Sequence, residues 1–355
     1  MNLLLVNHSK YQSILLLIHV YLGFFTSETK PLLVHNHISK SKTGSKFTIK
    51  GPTTNQSWSM SVSKPSIDKC SKLRVRANIK SLNENELKQY IDALKILYAD
   101  GTIDRYAIFH QTNYLSSHNQ PIIFWWHRYF IYAFENELQR INPNLTIPYW
   151  DTTEDSKEPH KSVVLSDKYF GGNGEPPFYC VSNSFLSTVD TKLPDGKRRC
   201  IKRIFYGSQS DTLSPWNNTQ SVLNLIRVSN DSEAFRIGLE DSIHLDVHRG
   251  LGSDEPRGDM NSPIAPIDPI FYLHHSNLDR WLYTWQLSKP ERFEMINGQQ
   301  RLLDNSLAPL TNDYILDGYA NVSIGTILRI EEDPLCYTYD YLPLDRLQLD
   351  QDQNQ

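Results

Sequence analysis

Apolar positions in this chain gather into a few helical runs, separated by long stretches with no period. Leu87, Ile91, Leu94 and the Leu97-Tyr98 pair recur at three- and four-residue spacing, one face of a helix. Ser81-Leu-Asn-Glu84, just ahead of them, fits a capping box, and Gly101 stops the run. A second helix is expected from near Pro121 to Trp125 through to Arg140, because IIFWWHRYFIYAFENEL is mostly apolar or aromatic. Pro143 and Pro148 end it. Ser232 and Glu233 open a further stretch that leads into a helix bearing Glu240, His244 and His248. Residues 250–269 are full of Gly and Pro and read as loop, and helix returns from about His274 to Gln286. The chain is thus mainly α.

Three stretches lack any period. Residues 28–66 are polar and rich in Ser, Lys and Thr, as in a disordered linker or propeptide. Residues 152–215 scatter Gly, Pro and Ser, and read as a long irregular excursion over the surface with short strands. After Asp313 a few apolar runs lead to a polar, Gln-rich tail at 346–355. One domain over 67–345 would lie between the linker and that tail.

Composition changes the picture little. With 355 residues, 39% of them hydrophobic and 21% charged, there is material for a sizeable core. A net charge of -4 gives no electrostatic case for nucleic acid or an anionic membrane as partner. The N-terminus matters more. Lys10 precedes an apolar segment at 14–25, interrupted by His19, and Thr26 and Ser27 follow, so residues 1–27 read as a secretory signal. A short membrane anchor is the alternative, but a span needs about 20 residues. Secretion makes disulfides available to Cys70, Cys180, Cys200 and Cys336, which form no CxxC pair and allow three pairings. Cys180 and Cys200 flank the turn signal Leu193-Pro194-Asp195-Gly196 and would close a local loop. Cys70 and Cys336 would then tie the start of the core to its end, with free buried thiols as the alternative. Glycosylation triplets begin at Asn55, Asn144, Asn217, Asn230 and Asn321, and agree with an extracellular protein.

The chemistry lies in the histidines. His110, His118 and His127 fall within the stretch 110–138, and His244, His248, His274 and His275 form a downstream group. His244 and His248 are four apart, so on a helix both imidazoles share a face, with Glu240 on the same stripe. A histidine from the next helix completes a set of three with an open position. His118 and His127 are nine apart and would face opposite ways on one helix, so His118 belongs on the loop before Pro121. A lone HxxxH is more often a core or surface pair than a ligand pair; two groups of three carry the argument. All-imidazole sites suit copper, zinc, iron or nickel. The HExxH arrangement of zinc hydrolases is absent, since Leu245 follows His244.

These residues resemble the tyrosinase family, whose binuclear type 3 copper centre is shared by catechol oxidases and molluscan haemocyanin units. The matching motifs are His118 through WWHRYFIYAFENEL, then HLDVH, RGDM, SP and DPIFYLHHSNLDRWLYTWQ, within a resemblance that covers about residues 70–341. The resemblance implies a four-helix bundle holding two copper ions. His110, His118 and His127 would hold one copper, and His244, His248 and His275 the other. His274 then stays outside the ligand set. Arg128 would pair with Asp279 and tie two copper helices together. Phe271 matches a bulky residue beside the copper pair and substrate, Glu240 a carboxylate that holds a water, and Leu245 and Arg249 positions that steer substrate. Ordinary core is the alternative for Phe271, and a solvated carboxylate for Glu240.

Some positions depart from the family. Ser116 stands where many relatives carry a cysteine cross-linked to a histidine, so that thioether cannot form. Leu245 stands where strong monophenol hydroxylases often have asparagine. Tyr337-Thr-Tyr339 and Arg74-Val-Arg76 resemble the markers that close the domain, and the shielding domain of latent relatives is expected to be missing. The implied activity is oxidation of o-diphenols, and of monophenols such as tyrosine, to o-quinones with O2. It would serve melanin formation or quinone tanning of an extracellular matrix, with small phenols or protein tyrosyl and dopa side chains as substrates. A haemocyanin-like O2 carrier and an inactive matrix protein of the same fold are the rival readings.

Overall fold

The computed structural model describes residues 70–347, apart from 193–195, 210 and 303, and five strand fragments between residues 39 and 62. Those fragments pair as Ser39–Ser41 with Gly44–Lys46 and Ser61–Val62, and Ile49–Lys50 with Ser57–Trp58, in a unit of their own. The leader, most of the linker, the 193–195 turn, Asn55 and the tail beyond 347 lie outside the described residues.

Helix α1 (Glu84–Ala99) starts two residues later than the capping box expected at Ser81. Asn83 is the cap: its side chain accepts from Asn85 and Glu86 N–H, and Glu86 accepts in return from Asn83 N–H. Ser81 instead ends a single 3-10 turn, Ile79–Ser81, with its hydroxyl on Asn78 O. Gly101, at φ +74°, ends α1 as expected, but it also turns the chain directly into α2 (Thr102–Thr112). After the single turn α3 (Tyr114–Ser117) comes α4 (Ile123–Ile141). Helices α5 (Thr219–Val228) and α6 (Ser232–Leu239) follow the excursion, capped by Asn218 and Asp231. A π-helical turn, Glu240–His244, leads into α7 (Leu245–Gly252). Helix α8 (Ile270–Leu287) begins four residues before the expected start. Asp268 accounts for this, since its carboxylate accepts from Ile270 N–H, and Pro269 is tolerated in a first turn.

Helices α4 and α8 pack along each other at the centre, α1 covers α4, and the Tyr106 and Phe109 rings of α2 meet Phe130 and Trp126 of α4. Every residue of α8 from Ile270 to Gln286 is buried. The histidine-bearing bundle is therefore α2, α4, the π turn with α7, and α8, as the mainly α expectation required.

The chain ends of the domain meet. Strand Arg74–Arg76 pairs in parallel with Tyr337–Tyr339, beside a Cys70–Cys336 disulfide; Cys180–Cys200 is the second bridge. Alternation turns Arg76, Tyr337 and Tyr339 inward. Both tyrosine hydroxyls donate to Asp279 Oδ2 at 2.6 Å, while Arg128 Nε donates to Oδ1 at 2.5 Å. The expected Arg128–Asp279 pair is present and fully buried.

The 152–215 excursion is irregular and carries short strands, Thr191–Lys192 and Arg198–Arg199. It is not confined to the surface, however. Val164, Phe170, Leu186 and Ile201 are buried, and Arg203, fully buried, pairs with Asp268 at the start of α8. The segment lacks a period because its backbone is irregular, yet its apolar residues still leave water.

Candidate metal centre

Each histidine of the first group comes from a different piece of chain. His110 lies in the last turn of α2, His127 in the first half of α4, and His118 in extended backbone just past α3. One nitrogen from each lies within 4.8 Å of the others, and the same holds for His244, His248 and His275. His244 ends the π turn, His248 is one α turn further in α7, and His275 lies in α8. The two trios abut. The His127 and His275 rings stack at 4.0 Å, and His118 faces His244 at 6.3 Å. His274 is fully buried but outside the trio, with its ring 5.2 Å from His248.

The single stripe expected for Glu240, His244 and His248 holds only from His244 onward. The π turn has a wider ring than an α turn, so Glu240 is not set one ordinary turn before His244. Its carboxylate is nonetheless buried. Oε1 accepts from Asn119 N–H at 2.9 Å, and Oε2 pairs with Arg236. Burial raises its pKa, and the Arg236 pair opposes that rise.

Hydrogen bonds fix the tautomers. The Nδ1 of His110, His127 and His248 each meet a backbone carbonyl, those of Pro263 (2.7 Å), Ile123 (2.8 Å) and Met260 (2.5 Å). A carbonyl only accepts, so each Nδ1 carries the proton and each Nε2 is a bare lone pair. His118 Nδ1 likewise lies 3.2 Å from Tyr114 O and 3.0 Å from Ser117 Oγ. The Nε2 atoms of His110 and His127 then approach to 3.3 Å with no proton between them. His248 and His275 Nε2 approach to 3.2 Å. Both ring nitrogens of His244, and Nδ1 of His275, are buried without a hydrogen-bond partner. Converging lone pairs and orphaned buried nitrogens are unfavourable unless a cation accepts them. Burial, reinforced in most cases by neighbouring imidazoles, also keeps the rings neutral. It pushes His110 down to about 3 and His248 to about 4, and His118, His127, His244 and His275 well below 6.5. Two transition-metal sites of three neutral imidazoles each, suited to copper, zinc, iron or nickel, are what this donor set fits.

Around the trios, Phe271 is fully buried, with its ring 4.2 Å from His275, 5.1 Å from His110, 5.9 Å from His127 and 6.0 Å from His248. Leu245 and Arg249, each one residue past a buried histidine, are exposed, Leu245 by 45%. Arg249 pairs with Asp254 and lies over the Tyr206 ring at 4.4 Å. Ser116 gives its hydroxyl to Asn113 O. Sequence reasoning missed Tyr114, whose ring stacks on His118 at 4.1 Å, and the pair Asn119 and Arg236. It also missed the carbonyls of Ile123, Met260 and Pro263, which act through backbone; the RGDM and SP motifs are the only sequence signal near the last two.

Residues 100–288 match the common central domain of tyrosinase. The chain is 28% identical to a tyrosinase from Aspergillus flavus, over 76% of this chain and 80% of that one. It is 26% identical to a G-type haemocyanin of Enteroctopus dofleini over 67% of this chain, which is 8% of that long protein. A solved polyphenol oxidase from Thermothelomyces thermophila has the same fold, with a TM-score of 0.63 at 23% identity, over 76% of this chain and 89% of that one. The shared domain holds two copper ions, which the two histidine trios fit. From residue 100 to residue 288, with both trios inside the match, the chain belongs to the tyrosinase family.

Proposed function

We propose that the protein is an oxidase that converts o-diphenols to o-quinones with O2. In this reading His110, His118 and His127 hold one copper, and His244, His248 and His275 the other. Copper at these positions supplies the electron transfer that couples diphenol oxidation to O2 reduction. The protein's own part is to keep six imidazoles neutral and aimed. The Pro263, Ile123 and Met260 carbonyls do this by holding the Nδ1 protons. Phe271, buried against four of the rings, spaces them and keeps water out rather than offering an exposed stacking surface.

The observation that supports an enzyme reading is the solvent exposure of two residues adjoining the second trio. Leu245 and Arg249 are exposed beside buried His244 and His248, which suits entry of a small aromatic. Leu245 has no amide with which to position a water, so diphenols are favoured over monophenols. Two disulfides suit an oxidising, extracellular setting, where quinones serve melanin formation or matrix tanning. No helix among the described residues is long and apolar enough to cross a membrane.

A second reading, reversible O2 binding without turnover, is favoured by the haemocyanin similarity and by an octopus haemocyanin unit of the same fold, with a TM-score of 0.55. Purified, copper-loaded protein supplied with catechol separates the two. Quinone formation with O2 uptake supports the oxidase. Copper binding with reversible O2 uptake and no quinone supports the carrier, and absence of copper binding rejects both.

A further inference from the structure

We infer that Glu240 is a positioning residue that braces the His118 loop against the helix carrying His244, and so sets the spacing of the two copper sites. The inference rests on the ligand assignment above.

His118 is the one histidine of its trio outside a helix. Asn119 follows it at φ +53°, a left-handed backbone that asparagine adopts more readily than most non-glycine residues. Its N–H points to Glu240. The bond from Asn119 N–H to Oε1 spans 121 residues of sequence. Glu240 also opens the π turn that His244 closes, so one carboxylate fixes the chain next to a ligand of each trio. Across this point the His118 and His244 rings lie 6.3 Å apart. The other oxygen is engaged by Arg236, which Glu233 holds in turn at 3.0 Å. The residue is 4% exposed, and both its carboxylate oxygens are committed to protein donors. A brace depends on reach and on one acceptor atom, whereas a water-holding base depends on charge.

The two roles order the variants oppositely. Glu240→Gln keeps the length and one acceptor, which Asn119 can use because Arg236 retains Glu233. Glu240→Asp keeps the charge but loses roughly 1.5 Å of reach. Copper per chain and the rate of copper transfer to excess chelator at neutral pH are measured for the full chain. Wild type and Glu240→Gln should hold two coppers and release them within about threefold of each other, while Glu240→Asp and Glu240→Ala release copper about tenfold faster or more. Release from Glu240→Asp slower than from Glu240→Gln, or wild-type rates in all three variants, overturns the inference. Fewer than two coppers in wild type overturns the ligand assignment itself, and the brace with it.

Discussion

Helices α4 and α8 carry two buried polar clusters side by side, and the clusters differ in what completes them. Arg128 follows His127 directly in α4, and Asp279 lies one turn past His275 in α8. Around Asp279 each polar atom has a protein partner. Tyr337, Tyr339 and Arg128 converge on its two oxygens, and Arg128 spends its remaining nitrogens on Gln286 and the carbonyls of Ile327 and Leu328. Arg76 and Glu135 add a bidentate pair beside it, at 3.1 and 3.2 Å. The histidine cluster is satisfied only on its outer edge. Its inner nitrogens face each other or nothing. An unmet buried donor or acceptor costs about 1–3 kcal/mol, so a fold that tolerates several together has a ligand to complete them. The first cluster is architecture, and the second is a socket.

That contrast can be broken experimentally. The largest effect is expected from His127→Ala or His275→Ala, each of which should remove one copper and abolish catechol oxidation; metal analysis with a catechol assay checks this, and retained activity would count against the assignment. Acid should act next. The folded imidazoles bind protons less readily than free side chains, so below pH 6.5 the unfolded chain takes up more protons than the folded one. Metal-free protein therefore keeps its stability above 6.5 and loses it as pH falls toward the folded values of about 4 and 3, by about 1.4 kcal/mol per pH unit for each histidine involved. Urea unfolding at a series of pH values measures the slope, and a flat profile between pH 6.5 and 5 would contradict the buried-neutral assignment.

The satisfied cluster should respond in the opposite manner. Asp279→Ala strands the buried Arg128 guanidinium and two phenols, and should cost about 3–5 kcal/mol in metal-free protein, read from the urea midpoint. A loss under 1 kcal/mol would mean that the cluster is not architectural. The smallest effect is expected at the rim. Leu245→Asn should raise the ratio of monophenol to diphenol turnover a few-fold without changing copper content; parallel steady-state assays with both substrates test it, and an unchanged ratio removes Leu245 from the account of selectivity.

Part of the histidine grouping could be read from the chain because spacing is local: HLDVH on a helix and His118 ahead of Pro121 each dictate a side, whereas choosing His275 over His274 needed the family resemblance. Helix α2 escaped notice because Gly101 reads as a stop, although Ile103, Tyr106, Ala107 and His110 have the buried spacing of a helix. The π turn could not be read at all. Its sequence, EDSIH, is ordinary and carries no local signal for the wider turn. The excursion at 152–215 was legible as irregular but not as a prop for α8, since the Arg203–Asp268 pair joins residues 65 apart. The carbonyls that set the histidine tautomers carry no side-chain signature, so they were visible only once the backbone was in place.

The Cys70–Cys336 bridge makes a covalent ring of nearly the whole domain, its ends 266 positions apart in sequence. A protease that nicks the excursion once cannot separate the pieces, because the bridge still joins them. Such a cut chain would migrate as one species on a non-reducing gel and as two fragments after thiol treatment. Endurance against proteolysis would thus depend less on an uncut backbone than on an oxidised knot.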